Sequence, residues 1–304
     1  MDNVFTGASS LKELTYIKET LAISLERSGF FLRQWASNNS DLLKNSESRT
    51  DPTIISDNKE VKTLGLLWMP QKDTLQFNVK NFKKQKTNTK RSILSSIAQI
   101  FDPLGLINPV TVKAKLIIQE LWSEKLGWDE LIPNHLENQW TDYIENLGSL
   151  NKISIPRLAI DNDAISVELH AFADASEKAY GACIHLISIT SEGHRSARLI
   201  CSKSRVAPMK KQTTAKLELC AALLASHLVK NLKNKLQCTF NKIICWSDST
   251  ITLAWIRSSP HKWKTFVANR TTEIQENTKA AEWRYVPGEE NPADIVSRGA
   301  TPSD

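Results

Sequence analysis

Residues 169–182 read LHAFADASEKAYGA. The first five form an apolar strand, yet the run closes on an acid, Asp174, set among the small residues Ala173, Ala175 and Ser176. A buried carboxylate left unpaired costs several kcal/mol, so this position calls for a positively charged partner.

Three more acids share that setting. Glu218 lies in AKLELCAALLA, Asp248 in ICWSDST and Asp294 in NPADIVSRG, each among apolar or small neighbours. Asp174 and Asp248 both end apolar runs read as strands, and strand ends are where α/β sheets place reactive groups. Glu218 falls in the first turn of a helix expected over residues 216–236, where Ala221, Ala222 and Ala225 at helical spacing let the helix approach a sheet closely. Taken singly, each acid reads first as a surface or salt-bridged carboxylate. Taken together, four carboxylates in one dry pocket repel and need a counter-ion. Mg²⁺ prefers oxygen ligands, and two such ions about 4 Å apart can activate a water and stabilise the leaving oxygen of a phosphodiester.

The order Asp, Glu, Asp, Asp excludes several classes. A retroviral-type integrase places its glutamate last, and a proofreading-type exonuclease carries an Asp-x-Glu pair on its first strand, where this chain has Asp174-Ala175-Ser176. Neither AFADAS nor CWSDST supplies the turn of an aspartic protease. No Gly-rich phosphate loop and no HExxH are present.

Around this centre the chain divides by texture. Strand-like runs (ISVELHAFA, GACIHLISI, ARLICSKS, KIICWSD) surround the long helix, and a second helical stretch covers residues 262–277. This describes an α/β or α+β domain. Residues 151–164 are read as the boundary before it. The preceding half is mainly helical, with RSILSSIAQIFDPLGLINPVTVKAKLIIQELW as two helices and a further helical piece ending near Leu150. Nearer the start, Leu11, Leu14, Ile17, Leu21 and Leu25 mark an amphipathic helix capped by Ser9 or Ser10 and ended by Gly29. FFLRQWAS reads as a short strand, residues 38–59 as a loop, and the runs around Pro70 and Asp73 as a hairpin.

With 304 residues, 41% hydrophobic and 24% charged, the chain has the composition of a globular protein of about two domains. No apolar run reaches the roughly 20 residues that span a bilayer, and MDNVFTGASS lacks a secretory layout. An intracellular, cytoplasmic protein without a membrane partner is expected. The five cysteines form no CxxC pair and are expected as reduced core thiols. A net charge of +6 and a pI near 9.0 favour a polyanionic partner. The charge concentrates in KNFKKQKTNTKR (Lys80, Lys83, Lys84, Lys86, Lys90, Arg91), which reads either as a solvated loop or as a phosphate-contacting strip. Trp246, Trp255 and Trp263 are expected in the core rather than as base-stacking residues.

The blocks HAFADAS, SKSRVAP, LELCAA, WSDSTITLAWI and WRYVPGEENPADIVSRG follow in an order that resembles the RNase H domain of BEL/Pao-type LTR retrotransposons. The resemblance implies an RNase H-like fold with a mixed five-stranded sheet and helices over residues 160–304. It also implies a nuclease that cuts the RNA strand of an RNA/DNA hybrid, with Asp174, Glu218, Asp248 and Asp294 as both catalytic and metal-binding carboxylates. Two Mg²⁺ ions, with Mn²⁺ as a substitute, are its expected cofactors. Asp174 would bridge them, Glu218 and Asp248 completing one position and Asp294 the other. Ser176, Lys203, Arg205, Lys83, Lys84 and Lys86 are candidate nucleic-acid contacts.

ERSGFFLRQWASN, TLGLLWMPQKDTLQF and the helical run are similar to the reverse transcriptase of the same elements. Residues 1–40 would be the end of its palm and 41–155 a thumb/connection-like region. Where the family carries paired aspartates this chain has Asp2-Asn3, and the rest of the palm is not represented, so no polymerase activity is expected. Many cellular RNases H have a histidine just before the last aspartate; here the loop reads VPGEENPAD, and the nearest histidine is His261. The remainder of a reverse transcriptase/integrase polyprotein is an expected partner. The competing expectation is an inactive nucleic-acid-binding or scaffold remnant.

Overall fold

The computed structural model describes residues 4–32, 34–44, 53–54, 61–63, 66–79, 88–236 and 238–302. The chain forms two compact units, Met1–Val79 with Leu150–Leu158, and Lys80–Ser149 with Ala159–Asp304.

In the first unit, the expected amphipathic helix near the start forms α1 (Leu11–Arg27). Ser10 accepts from the Glu13 amide at 3.3 Å, and Gly29 follows the helix end at φ +79°. The expected FFLRQWAS strand shrinks to β1 (Gln34–Trp35), leaving Phe30 and Phe31 exposed. β1 runs parallel to β2 (Thr53–Ile54), inside the stretch expected as a loop. That stretch also holds α2 (Asp41–Lys44), because Asn39 Oδ1 accepts from the Asp41 amide at 2.9 Å and Leu42 and Leu43 are buried.

The expected hairpin is present as β4 (Leu66–Met69) and β5 (Thr74–Gln76), joined by a short 3-10 turn and left-handed Asp73 at φ 48°. It belongs to a four-stranded antiparallel sheet in the order β3 (Val61–Thr63), β4, β5, β6 (Ser154–Pro156). β6 lies within the segment read as a domain boundary. Its pairing with β5 is locked by Arg157, which grips Asp73 through two bonds of 2.6 and 2.7 Å.

The second unit begins with α3 (Lys90–Ile97), α4 (Asn108–Ser123) and α5 (Asn134–Leu147), the last shorter than expected. Val112, Ala114, Leu121, Leu136, Trp140 and Leu147 form their buried faces. Next comes a five-stranded mixed sheet. β7 (Ala164–Ala175), β8 (Ala179–Thr190) and β9 (Arg195–Val206) make an antiparallel meander, β10 (Lys242–Ser247) runs parallel to β7, and β11 (Glu282–Tyr285) runs parallel to β10. The order is β11-β10-β7-β8-β9.

The helices of this half are α6 (Thr214–Lys235), α7 (Thr250–Arg257), α8 (Thr265–Asn277) and α9 (Asp294–Arg298). The strand and helix patterns of the sequence do not separate out α7, β11 or α9. They also begin α8 too early, at a stretch where Pro260–Lys262 makes a 3-10 turn.

α6 buries Leu217, Ala221, Leu224, Ala225 and Val229 against Leu169, Ala171, Ala173, Ala182, Ile184 and Cys245 on one sheet face. α9 covers part of the other face through Val296 and Ala293, which pack on Cys183 with Phe172 and Leu199. The helical segment is continuous with this domain. The Ser202 amide on edge strand β9 donates to Leu104 O at 2.9 Å, Asn108 bonds Ser202 and Ser204 at 3.0 Å each, and Gln119 donates to Ala207 O at 2.6 Å. Exposed strand edges invite further pairing, and here the edge is covered. One unit gives way to the other at Leu158–Ala159, within residues 151–164, and residues 80–149 belong to the same unit as the five-stranded sheet.

The five cysteines are free thiols, with Cys183 and Cys245 buried. Among the described residues, no helix is long and apolar enough to cross a membrane.

Candidate active site

Strand register brings the first two acids together. β10 lies parallel to β7 with Ser247 opposite Ala173, so the next residue on each strand, Asp248 and Asp174, meets at the same sheet end. Glu218 sits one turn into α6, where the small residues Ala221 and Ala225, both fully buried, hold the helix close to β7. One oxygen from each of Asp174, Glu218 and Asp248 lies within 4.8 Å of the other two. Asp174 and Glu218 are buried, and Asp248 is half-buried. Asp294 opens α9 beside this trio. Its charge acts on both Asp174 and Asp248, and its Oδ1 accepts from Arg298 Nε at 2.6 Å.

Four features missed in the sequence complete the geometry. Asn291 donates to Ala173 O at 3.1 Å, tying the loop before α9 to the strand carrying Asp174. Ser297, fully buried, donates its hydroxyl hydrogen to Asp174 Oδ2. Arg298 neutralises Asp294. Gly181 pairs with Asp174 across β7 and β8, and a Cβ there would come within 2.5 Å of Val296 Cγ1, so only glycine lets α9 approach. The signal for Ser297 and Arg298 was available: positions three and four beyond Asp294 return to its side of a helix.

The carboxylates are crowded and largely buried. Burial pushes Glu218 up to about 9, helped by the charges of Asp174 and Asp248. Burial likewise lifts Asp174 to about 6 against the lowering pull of the Ser297 hydroxyl, with Asp248 and Asp294 adding to the rise. Asp248 is raised, chiefly by burial. Glu218 Oε2 and Asp248 Oδ1 are buried without a hydrogen-bond partner. Orphaned oxygens in an all-carboxylate set are the donor chemistry of a hard divalent cation, and these residues fit Mg²⁺ or Mn²⁺.

The other sequence candidates scatter. Ser176 sits in the turn between β7 and β8, its hydroxyl bonded to Ala179 O at 3.1 Å and Ser297 O at 3.0 Å. Lys203 and Arg205 are exposed on β9, flanking Ser204, which pairs with Gly181 opposite Asp174. That places them two strands, or roughly 10 Å, from Asp174. Lys83, Lys84 and Lys86 lie outside the described residues, as does Asp2-Asn3. From the same strip, Lys90 donates to Leu126 O at 2.7 Å and Arg91 pairs with Asp129 at 2.8 and 3.0 Å.

His261 is exposed and bonded to Ser259. The tryptophan expectation needs correcting. Trp246 is half-buried and stacks on Phe172 at 6.1 Å between ring centroids, whereas Trp263 is exposed and meets Trp255 edge-on. Trp263 lies outside the core because it follows the 3-10 turn that ends before α8.

A mixed five-stranded sheet with helices on both faces and carboxylates gathered where β7 and β10 end is an RNase H-like domain. Residues 89–249, more than half of the chain, match the family described as the Pao retrotransposon-like RNaseH-like domain, and the chain belongs to that family. The match includes Asp174, Glu218 and Asp248 and begins at the N-cap of α3. No curated protein matches the sequence.

Among solved structures, the chain is similar to RNase H1 of Halobacterium salinarum NRC-1 (14% identity, 43% of this chain and 94% of that one, TM-score 0.28). It is similar to LC11-RNase H1, solved in complex with an RNA/DNA hybrid (15%, 45% and 98%, 0.29). It is also similar to a foamy viral protease-reverse transcriptase in complex with an RNA/DNA hybrid (13%, 75% and 29%, 0.39).

Proposed function

We propose that this chain is a retroelement ribonuclease H that hydrolyses the RNA strand of RNA/DNA hybrids. The observation that carries the reading is the trio Asp174, Glu218 and Asp248, which bring one oxygen each within 4.8 Å of the others, with Glu218 Oε2 and Asp248 Oδ1 buried without a hydrogen-bond partner. Asp174, Glu218 and Asp248 would hold a divalent cation, with Asp294, whose charge acts on Asp174 and Asp248, adding a fourth carboxylate. Two divalent cations, when bound, supply water activation and charge neutralisation at the leaving oxygen. Glu218, raised to about 9, holds its proton at neutral pH, and as a ligand to a cation it would have to give that proton up. Arg298 balances Asp294 at the mouth of the site.

Selection of RNA comes from contacts to the 2′-hydroxyl across the wide minor groove of the hybrid. Lys203 and Arg205, exposed on β9, and Ser176 at the strand turn are the proposed sugar and phosphate contacts, with Lys83, Lys84 and Lys86 adding backbone affinity. Residues 1–40 and 41–155 are read as the end of a reverse-transcriptase palm and its thumb/connection-like region.

The test is Asp174→Asn with Asp248→Asn, assayed on an RNA/DNA hybrid with Mg²⁺. Wild type cleaves and the double variant does not; equal cleavage by both removes the two-metal assignment. Hybrid binding by wild type without Mg²⁺-dependent cutting would instead make the chain a binding module.

A further inference from the structure

We infer that Ser297 is a positioning residue that fixes the orientation of Asp174 for cation binding. The inference rests on the metal-centre reading above and adds a residue to it. Asp174 has a carboxylate oxygen within 4.8 Å of one from Glu218 and one from Asp248, and it feels the charge of Asp294. Charged groups near it include Asp248, Asp294 and Arg298, and among the described residues the one side-chain hydroxyl bonded to it is that of Ser297. This hydroxyl donates to Oδ2 and so reserves one side of the carboxylate. An alternative acceptor, Asp294 O, lies 3.0 Å away, but an ionised carboxylate is the stronger one.

Ser297 is itself held from three directions. Ser176 donates to its carbonyl at 3.0 Å, which connects it to the turn following Asp174. Its own amide donates to Ala293 O at 3.1 Å. Beyond it, the Ala300 amide donates to Pro109 O at 3.0 Å, and Gly299, at φ +80°, sits where a Cβ would come within about 3 Å of Val112 and Lys113. α4 therefore braces the segment that carries both Asp294 and the donor to Asp174. Hydrogen-bonding groups behind metal ligands act on affinity through orientation and basicity, and their loss typically costs ~10- to 100-fold in metal affinity or activity.

The experiment compares Ser297→Ala, Ser297→Cys and Ser226→Ala in the full chain by calorimetric titration with Mn²⁺ and by steady-state hybrid cleavage. Ser226 is a control, a fully buried serine bonded to Leu223 O two turns further along α6 from Glu218. Ser297→Ala is expected to weaken Mn²⁺ affinity by at least about tenfold and to lower kcat with KM for the hybrid unchanged. Ser297→Cys, which keeps the size with a weaker donor, falls between the two, and Ser226→Ala matches wild type. Wild-type Mn²⁺ affinity in both Ser297 variants, or an equal loss in Ser226→Ala, overturns the assignment. Should Ser297→Ala fail to fold, Ser297→Cys decides alone. If wild type neither binds Mn²⁺ nor cleaves, the metal centre fails first, and the positioning role with it.

Discussion

Glu218 shows how a single side chain can work against its own fold. A carboxyl raised to about 9 by burial keeps its proton in the folded state long after the unfolded chain, titrating near 4, has released it. The folded state then binds more protons than the unfolded one, so metal-free stability falls as pH rises from about 4 through the folded values of about 6 for Asp174 and about 9 for Glu218. Thermal melts in EDTA should give a higher midpoint at pH 5 than at pH 8, and saturating Mg²⁺ should close the gap. A flat profile in EDTA would contradict the crowding of these acids. Glu218→Gln should raise the EDTA midpoint at pH 8 by roughly 2–4 °C per kcal/mol recovered, while abolishing cleavage.

These acids were legible in the sequence because a charged residue among Ala, Leu and Ile is conspicuous. Ser297 offered only its place three residues beyond Asp294, because serine is unremarkable in a helix and its partner lies 123 residues away.

Among the elements, α9 depends most on its surroundings. It has five residues, and the absence of a side chain at Gly181 lets it sit against the sheet. Gly181→Ala should cost about 1–3 kcal/mol through overpacking against Val296. It should also reduce Mn²⁺ affinity, since Asp294 and Ser297 ride on the displaced helix. Chemical denaturation paired with Mn²⁺ titration checks this, and unchanged affinity would detach α9 from the site.

β7, β8, β9 and α6 were readable from long apolar or helical patterns. β11 was not. Its four residues, EWRY, are mostly exposed, and it forms through pairing with β10 about 40 residues earlier. β6 escaped for a similar reason: Ser-Ile-Pro becomes a strand only where β5 offers a partner, and proline suits such an edge.

At the scale of the whole molecule, the chain passes from one compact unit to the other at Leu158–Ala159, inside the stretch whose composition changes, while residues 80–149 belong with the strands that follow it. The helices from α3 to α5 look unlike the strands after residue 164, yet α4 bonds Ser202 and Ser204 on β9 and Ala300 just beyond α9. Hydrogen exchange should therefore show the slowest amides of α4 and β9 opening with a common free energy, at the level of global unfolding of that unit. Exchange of α4 several kcal/mol more readily than β9 would separate them. The net charge of +6 has its own consequence. Replacing Lys83, Lys84 and Lys86 by Ala should flatten the dependence of log hybrid affinity on log salt by about 2–3, at roughly 0.9 for each phosphate no longer neutralised. An unchanged slope returns the strip to solvent.

The loop at Leu104 and Gly105 caps the edge of β9, Leu104 O accepting from the Ser202 amide and Gly105 O from the Ser202 hydroxyl. A protein expressed from residue 160 onward would keep all four acids but present the bare margin of β9 to its neighbours. It would pair with copies of itself before it met a substrate, and failure to cut would then report on aggregation and not on chemistry.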